Sequence, residues 1–328
     1  MLSLRAALKH LAAIPQLTLI EDTPLARYTR FAIGGPVALL CDTNREDSFI
    51  QALEIVKRLA LPRVVIGGGT NLIVSDAGFD GVALRYSGSR IDREGMVLRV
   101  EAGAALQDVV DRSIELGLQG VQTMTGIPGY LGGAIYGNAG AYGQSIQQIV
   151  ERVRFTDGET QLALGNSDCR FRYRDSIFKD RKDWVILSAD LRFSVGDECE
   201  LRDKANEIRR IRDAKYPPTM KCAGSIFKNL LLAELPASVS SQIPASVVRE
   251  GKIPSAWFLE QTGAKGMRRG DIQVATYHAN LVYNDGDGTA ADLVAVISEL
   301  KRRVQERFGF ELEEEVQYVG FEYATAPA

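Results

Sequence analysis

Seven glycines fall within the nineteen residues Thr125-Gly126-Ile127-Pro128-Gly129-Tyr130-Leu131-Gly132-Gly133-Ala134-Ile135-Tyr136-Gly137-Asn138-Ala139-Gly140-Ala141-Tyr142-Gly143, a stretch without a charged side chain. Glycine allows positive φ and lets another group approach the backbone closely. Successive free N–H groups can then surround an anion such as a pyrophosphate. A flexible linker is excluded, because Ile127, Tyr130, Leu131, Ile135, Tyr136 and Tyr142 give the stretch apolar surface to bury. A pair of tight turns in a packed core would use the same residues. A second stretch, Val64-Val65-Ile66-Gly67-Gly68-Gly69-Thr70-Asn71-Leu72-Ile73-Val74, reads as strand, glycine turn and strand. A dinucleotide fingerprint would open a helix after its glycines, whereas Leu72, Ile73 and Val74 continue as a strand. No Gly-Lys-Ser/Thr follows, which excludes a P-loop. Two glycine loops about sixty residues apart, both bounded by β-type segments, suggest a non-Rossmann site for a large phosphorylated cofactor. Neither loop carries a lysine or arginine, so the backbone would hold the anion.

Other residues with chemical potential are fewer. Cys169 to Lys179 is dense in arginine and aromatics. Such interleaving can bind single-stranded nucleic acid, but one short cluster in a chain of net charge −3, with 39 basic and 42 acidic residues, argues against that partner. The run Glu313-Glu314-Glu315 reads on its own as a solvated face. Cys41, Cys169, Cys199 and Cys222 lie far apart and His10 and His278 are isolated, so no metal site is expected. Buried thiols in a reducing cytoplasm are the default. No apolar run approaches a membrane span.

The elements that must position these residues can be read from pattern. A length of 328 residues suits two or three domains, and 45% hydrophobic with 25% charged residues is ordinary for a globular protein. Met1 to Leu11 reads as a short surface helix, and Tyr28 to Leu40 as strand, turn and strand. Thr43 and Glu46 have capping-box spacing before a helix whose stripe is Phe49, Leu53, Val56 and Ala60. Strands are expected at Gly81 to Arg85, Met96 to Val100, Val153 to Phe155 and Val185 to Leu187, with a helix carrying Leu106, Val109, Val110 and Ile114 inward and stopping at Gly117. A further helix with Leu201, Ala205, Ile208 and Ile211 inward ends at Lys215-Tyr216-Pro217-Pro218, a domain hinge. Beyond it come a helix near Ala256 to Leu259, a strand from Ala279 to Asn284, and a long helix capped by Thr289 and ended by Gly309.

Six motifs in order give the chain a resemblance to the UDP-N-acetylenolpyruvoylglucosamine reductase (UDP-N-acetylmuramate dehydrogenase) family, over roughly Leu25 to Gly320. They are Tyr28-Thr29-Arg30-Phe31-Ala32-Ile33-Gly34-Gly35-Pro36, Gly67-Gly68-Gly69-Thr70-Asn71-Leu72, Gly126-Ile127-Pro128-Gly129 with Asn138-Ala139-Gly140-Ala141-Tyr142-Gly143, Tyr173-Arg174-Asp175-Ser176-Ile177-Phe178, Gly224-Ser225-Ile226-Phe227-Lys228-Asn229, and Leu312-Glu313-Glu314-Glu315-Val316. The resemblance implies an α+β protein. Its FAD-binding fold would be of the vanillyl-alcohol-oxidase (PCMH) type, made of two α+β subdomains at 1–87 (with the tail 316–328) and 88–200, followed by an α+β substrate-binding domain at 201–315. It implies bound FAD, NADPH as reductant, and reduction of an enolpyruvyl ether to a lactyl ether, with hydride passing from flavin N5 and the enolate then protonated by Ser225. Arg174, Ser225 and Glu315 resemble the family's catalytic set, and Tyr173, Lys215 and Asn229 its substrate contacts. The cofactor contacts it implies are Gly67, Gly68, Gly69, Thr70, Asn71, Leu72, Thr125, Gly126, Ile127, Pro128, Gly132, Gly133, Ala134, Asn138, Ala139 and Gly140. A cytoplasmic monomer with small-molecule partners, and neither nucleic acid nor membrane, completes the expectation.

The chemistry suits these residue types. Hydride addition to an enolpyruvyl group puts charge on its carboxylate, which a planar guanidinium stabilises bidentately, and a hydroxyl can protonate the basic enolate. The chain departs from the family pattern in three places. Arg174 and Ser225 are only 51 positions apart, as in the subclass lacking an extra loop that brings a tyrosine over the substrate. Met267-Arg268-Arg269-Gly270-Asp271 replaces an apolar, glycine-paired segment, and Glu314 stands where proline is common. Competing readings are another flavin oxidoreductase of the same cofactor fold, and a nucleotide-sugar sensor that keeps flavin only as structure.

Overall fold

Apolar spacing sets the elements of the first half of the chain in the computed structural model, which describes residues 2–321. Helix α1 (Leu2–Leu11) is followed by strands β1 (Thr18–Pro24) and β2 (Pro36–Thr43), helix α2 (Glu46–Arg58), and strands β3 (Arg63–Ile66), β4 (Leu72–Val74) and β5 (Phe79–Tyr86). Strands β1, β2, β5 and β3 form a sheet in that order, with β3 and β5 parallel. Strands β6 (Ile91–Glu94) and β7 (Val97–Glu101) lie at one edge of a five-stranded antiparallel sheet continued by Val185–Arg192, Val150–Thr156 and Gln161–Gly165. Helix α3 (Leu106–Glu115) buries Leu106, Val109, Val110 and Ile114, and α4 (Leu131–Tyr136) buries Leu131, Ala134 and Ile135.

Helix α1 lies at the surface as expected, with Arg5, Ala6, Lys9 and His10 exposed, and buries Ala7 and Leu11 in the core that also holds Phe49 and Leu53. Several local expectations change. Residues 29–35 form an irregular connection instead of a strand, and β1 precedes them. Thr43 ends β2, and its hydroxyl accepts from Arg45 N–H (3.1 Å) and donates to Gln16 C=O (2.8 Å), so it is not the cap of α2. Ala60 lies past the end of α2 and is exposed. The helix Glu198–Lys215 buries Leu201, Ala205 and Ile208, but leaves Ile211 47% exposed. The last long helix, Ala290–Phe308, is as expected: Thr289 accepts from Asp292 N–H (3.1 Å), and Gly309 closes it at φ 77°.

Two compact units result, and both are discontinuous in sequence. One comprises Met1–Thr23, Val37–Gly69 and Asp80–Pro218; the other comprises Pro24–Pro36, Thr70–Phe79 and Thr219–Ala328. The expected boundaries at 87, 200 and 315 make three parts, with 316–328 joined to the first, whereas these two units divide at other positions. Helix Glu198–Lys215 goes with the first unit because Leu201 and Ala205 complete its core. In the second unit Gln317–Val319 pairs in parallel with β4, and the expected tail beyond 321 lies outside the described residues. A three-stranded antiparallel sheet (Arg268–Arg269, Ile272–Val274, Val282–Asn284) and the helices Ser255–Gln261 and Ala290–Phe308 supply the rest of that unit. Among the described residues no helix is long and apolar enough to cross a membrane. Burial pushes the thiols of Cys41 and Cys169 up to about 12, which keeps both protonated.

Candidate functional site

In the first unit, β3 runs directly into Gly67-Gly68-Gly69. None of these three N–H groups donates to an acceptor among the described residues. The Tyr130 ring packs against both Gly67 and Gly68: a Cβ built on either would lie 3.6 Å from ring carbons. The same Cβ on Gly68 would lie 3.0 Å from Gly129 Cα, so the two glycine loops touch there. A side chain at Gly68 would have to push the second loop's backbone aside.

The second glycine stretch behaves differently. Its N–H groups are largely committed within the protein: Gly126 to Gln107 Oε1 (2.7 Å), Leu131 to Ala104 C=O and Gly132 to Ala102 C=O (both 2.8 Å), and Ala139 to Ala134 C=O (2.7 Å). Gly129 and Gly133 donate to nothing among the described residues, and a Cβ on Gly133 would meet nothing within 4 Å. Gly132 faces inward, where a Cβ would lie 3.1 Å from Ala102 Cβ. Neither loop carries a lysine or arginine, but two arginines from a distant helix approach the second one. A Cβ on Gly126 would lie 3.1 Å from Arg209 Nη1 and 3.2 Å from Arg212 Nε, both on the helix Glu198–Lys215. Gln107 on α3 ties the arrangement together, accepting also from Arg209 Nη1 and Thr125 Oγ1 (3.3 Å each).

Arg174 sits at the tip of a tight hairpin. Arg172 and Asp175 exchange backbone hydrogen bonds of 3.0 and 3.1 Å, leaving Tyr173 and Arg174 as the two-residue turn. Arg174 has φ 56°, a left-handed conformation that usually calls for Gly or Asn at this turn position. Lys179 Nζ donates to its carbonyl (2.6 Å), and Ser176 Oγ donates to Tyr136 C=O (2.8 Å), so the strained turn is held from two sides. Its guanidinium donates to Gly140 C=O (3.1 Å) and lies 5.3 Å from the Tyr173 ring. Asn138, expected against the cofactor, spends its amide on Arg172 C=O (2.7 Å) and Gln147 Oε1 (2.9 Å) and thereby supports the Arg174 hairpin. Lys215 ends its helix with Nζ 4.9 Å from the Tyr216 ring.

In the second unit, Ser225 to Lys228 lies between two other segments. Ser225 bridges Leu281 and Phe227 bridges Glu314. Asn280, almost fully buried, clasps Phe227 in both directions, accepting its N–H at 2.9 Å and donating to its carbonyl at 2.8 Å. Glu315 N–H donates to Ile226 C=O (2.7 Å), which places the main chains of Ser225 and Glu315 one residue apart across the pairing. Glu315 C=O accepts from Asn71 Nδ2 (2.8 Å), and Gln317 N–H donates to Asn71 C=O (3.0 Å). The neighbouring acids have other partners. Glu313 pairs with Lys228, and Glu314 with Lys301 and the Tyr318 hydroxyl. Asn229 leads into the short strand Leu230–Leu231.

Comparison with known proteins fixes the family. Residues 216–319 match the model of the UDP-N-acetylenolpyruvoylglucosamine reductase C-terminal domain, and residues 38–162 match that of an FAD binding domain. A UDP-N-acetylenolpyruvoylglucosamine reductase of Solibacter usitatus is 54% identical over 94% of this chain and 99% of its own length. One from Rubrobacter xylanophilus is 35% identical over 91% of this chain and 94% of its own. The chain belongs to the UDP-N-acetylenolpyruvoylglucosamine reductase family. The crystal structure of a family member from Thermus caldophilus superimposes with a TM-score of 0.71 at 26% identity, covering 92% of this chain and 98% of that one.

Membership of the reductase family makes this an oxidoreductase of peptidoglycan precursor synthesis that uses FAD and NADPH. Its cofactor fold is of the PCMH type, joined to the family's own C-terminal domain. The first unit fits an FAD diphosphate on two counts. Gly67 to Gly69 present three N–H groups without an acceptor among the described residues, and Gly133 leaves room that a side chain would fill. Motif reading took Tyr130 only as apolar surface to be buried and did not single out Gln107, Arg209, Arg212 and Asn280. No sequence signal marks them, because each acts on a segment distant along the chain or through a side chain common in ordinary packing.

Proposed function

We propose that this chain reduces UDP-N-acetyl-enolpyruvoylglucosamine to UDP-N-acetylmuramate with NADPH as hydride source, in the cytoplasm, and that Arg174, Ser225 and Glu315 carry the chemistry. The observation that most supports the assignment is the bond from Glu315 N–H to the carbonyl beside Ser225. FAD, when bound, supplies the hydride equivalent taken from NADPH. Hydride addition at the β-carbon of the enolpyruvyl group moves the double-bond pair toward the carboxylate as an enolate. The Arg174 guanidinium stabilises that charge bidentately. Ser225 gives its hydroxyl proton to the α-carbon, forming the second new C–H bond, and recovers a proton from solvent. Glu315 stands beside it as hydrogen-bond donor to the enolate or as proton relay. Tyr173, Lys215 and Asn229 hold the substrate, and Gly67 to Gly69 with Gly133 hold the cofactor.

Anaerobic spectroscopy of the purified protein tests this reading. NADPH should bleach the flavin absorbance, and the enolpyruvyl nucleotide should restore it. Protein that NADPH does not bleach would be a sensor with structural flavin. Reduced protein that dioxygen reoxidises while the enolpyruvyl nucleotide does not would be an oxidase.

A further inference from the structure

Arg85 occupies the end of β5 beside Ile66, the last residue before the first glycine loop. Its Nη1 pairs with Asp42 Oδ2 on β2 at 2.8 Å, and its Nη2 donates to the Tyr130 hydroxyl. The guanidinium carbon lies 5.6 Å from the centre of the Tyr130 ring. Both charged side chains are mostly buried, at 22% and 23% exposed. The Tyr130 ring in turn rests on Gly67 and Gly68 at the point where Gly68 meets Gly129. One chain of contacts therefore runs from the sheet, through Asp42 and Arg85, to the ring standing between the two glycine loops. Nothing else in the proposed chemistry uses Arg85, and a charged group placed only for surface solubility would not be tied at both ends.

We propose that Arg85 is a positioning residue for FAD: acting through the Tyr130 hydroxyl, it locks the ring that holds the two glycine loops in register, so that the N–H groups of Gly67 to Gly69 are arranged before the diphosphate arrives. The proposal rests on the reading that these loops hold the FAD diphosphate. Preorganisation of this kind lowers the ordering cost of binding and slows release. Tyr130→Phe removes the hydroxyl but keeps the ring and leaves the Arg85–Asp42 pair intact. Arg85→Met removes the latch from its other end, and Tyr130→Phe preserves the test if loss of the ion pair to Asp42 prevents that variant from folding.

The measurement is FAD release from the holoenzyme, followed as flavin fluorescence after dilution, well below the unfolding temperature. There a general loss of stability leaves the rate unchanged, so a merely structural role would not register. Release should be about tenfold faster in either single variant, the size expected for one lost hydrogen bond to a charged group. The double variant should be no faster than the quicker single one, because both act through one contact. Release from Tyr130→Phe at the parent rate overturns the latch, and multiplicative effects in the double variant overturn the claim that Arg85 acts through Tyr130. A parent protein that purifies without FAD, or whose FAD content survives Gly68→Val unchanged, overturns the underlying reading instead.

Discussion

Ser225 owes its place to backbone partners that its own side chain does not reveal. Ile226 and Phe227 are pinned by Asn280 on one side, and the pairing with Glu314 and Glu315 holds the other. A proton donor fixed in this way should matter only after the cofactor has been reduced, since NADPH oxidation needs no proton from the serine. In stopped-flow, Ser225→Ala should be bleached by NADPH at a rate within a few-fold of the parent, while reoxidation by the enolpyruvyl nucleotide slows at least about a hundredfold, the usual cost of losing a positioned general acid. Equal slowing of both half-reactions would point to a distorted site, and normal reoxidation would remove Ser225 from the mechanism. The proposed roles of Arg174, Ser225 and Glu315 come from ordered motifs in the sequence. The left-handed backbone of Arg174 was not legible there, because arginine carries no preference for φ near 56°; the surrounding bonds from Lys179, Arg172 and Asp175 impose it.

Elements were legible where periodicity was strong and misread where a polar residue had a distant partner. Helix α3 buries the apolar stripe its sequence predicts, and the helix Ala290–Phe308 buries Leu293, Ile297, Leu300 and Val304 while Phe308 at its end is half-buried. Thr43 has the spacing of a cap but serves Gln16 instead, a contact across 27 residues that no local pattern announces. Helix α4 shows the same limit on a functional element. Its two consecutive glycines look equivalent in sequence, yet Gly132 packs on Ala102 and Gly133 opens into free space. Gly132→Val should disturb the fold itself, since its Cβ would press on Ala102 Cβ and C=O at 3.1 and 3.2 Å. Gly133→Val is the discriminating change, because valine is no worse than glycine within a helix and the new branches enter space the cofactor needs. It should give soluble protein with a native far-UV circular dichroism spectrum but less than about a tenth of the parent's FAD, the steric consequence of filling a glycine cradle. Full flavin content in that variant would place the cofactor away from α4.

At the scale of the whole molecule, the second compact unit is assembled from three separate stretches of the chain. The second unit borrows two segments from the N-terminal third, and each has a specific task there. Strand β4 is the parallel partner of Gln317–Val319, with Ile73 and Val74 buried. Asp76 accepts from Ala290 N–H (2.8 Å) and Ala291 N–H (2.9 Å), satisfying two of the open donors at the start of the last long helix and setting a carboxylate at the positive end of its dipole. Phe31, fully buried, supplies the carbonyl that Asn284 Nδ2 donates to at 3.0 Å. Linear reading could not assign these residues, since their partners lie more than two hundred positions away and hydrophobic pattern reports burial without naming the neighbour. The arrangement predicts that a fragment beginning at Thr219 cannot fold alone, although the family's C-terminal domain matches from residue 216. Losing a cap costs about 1 kcal/mol, each large buried side chain removed costs about 2–5 kcal/mol, and Phe31, Ile73 and Val74 would all be missing, which together approaches the entire stability of a domain this size. Thermal unfolding of the fragment by circular dichroism should show no cooperative transition, and adding a peptide spanning Thr70–Phe79 in trans should not suffice while Phe31 is absent. A fragment that melts cooperatively near the full chain's midpoint would mean that the borrowed segments are accessories and that the continuous division is the correct one.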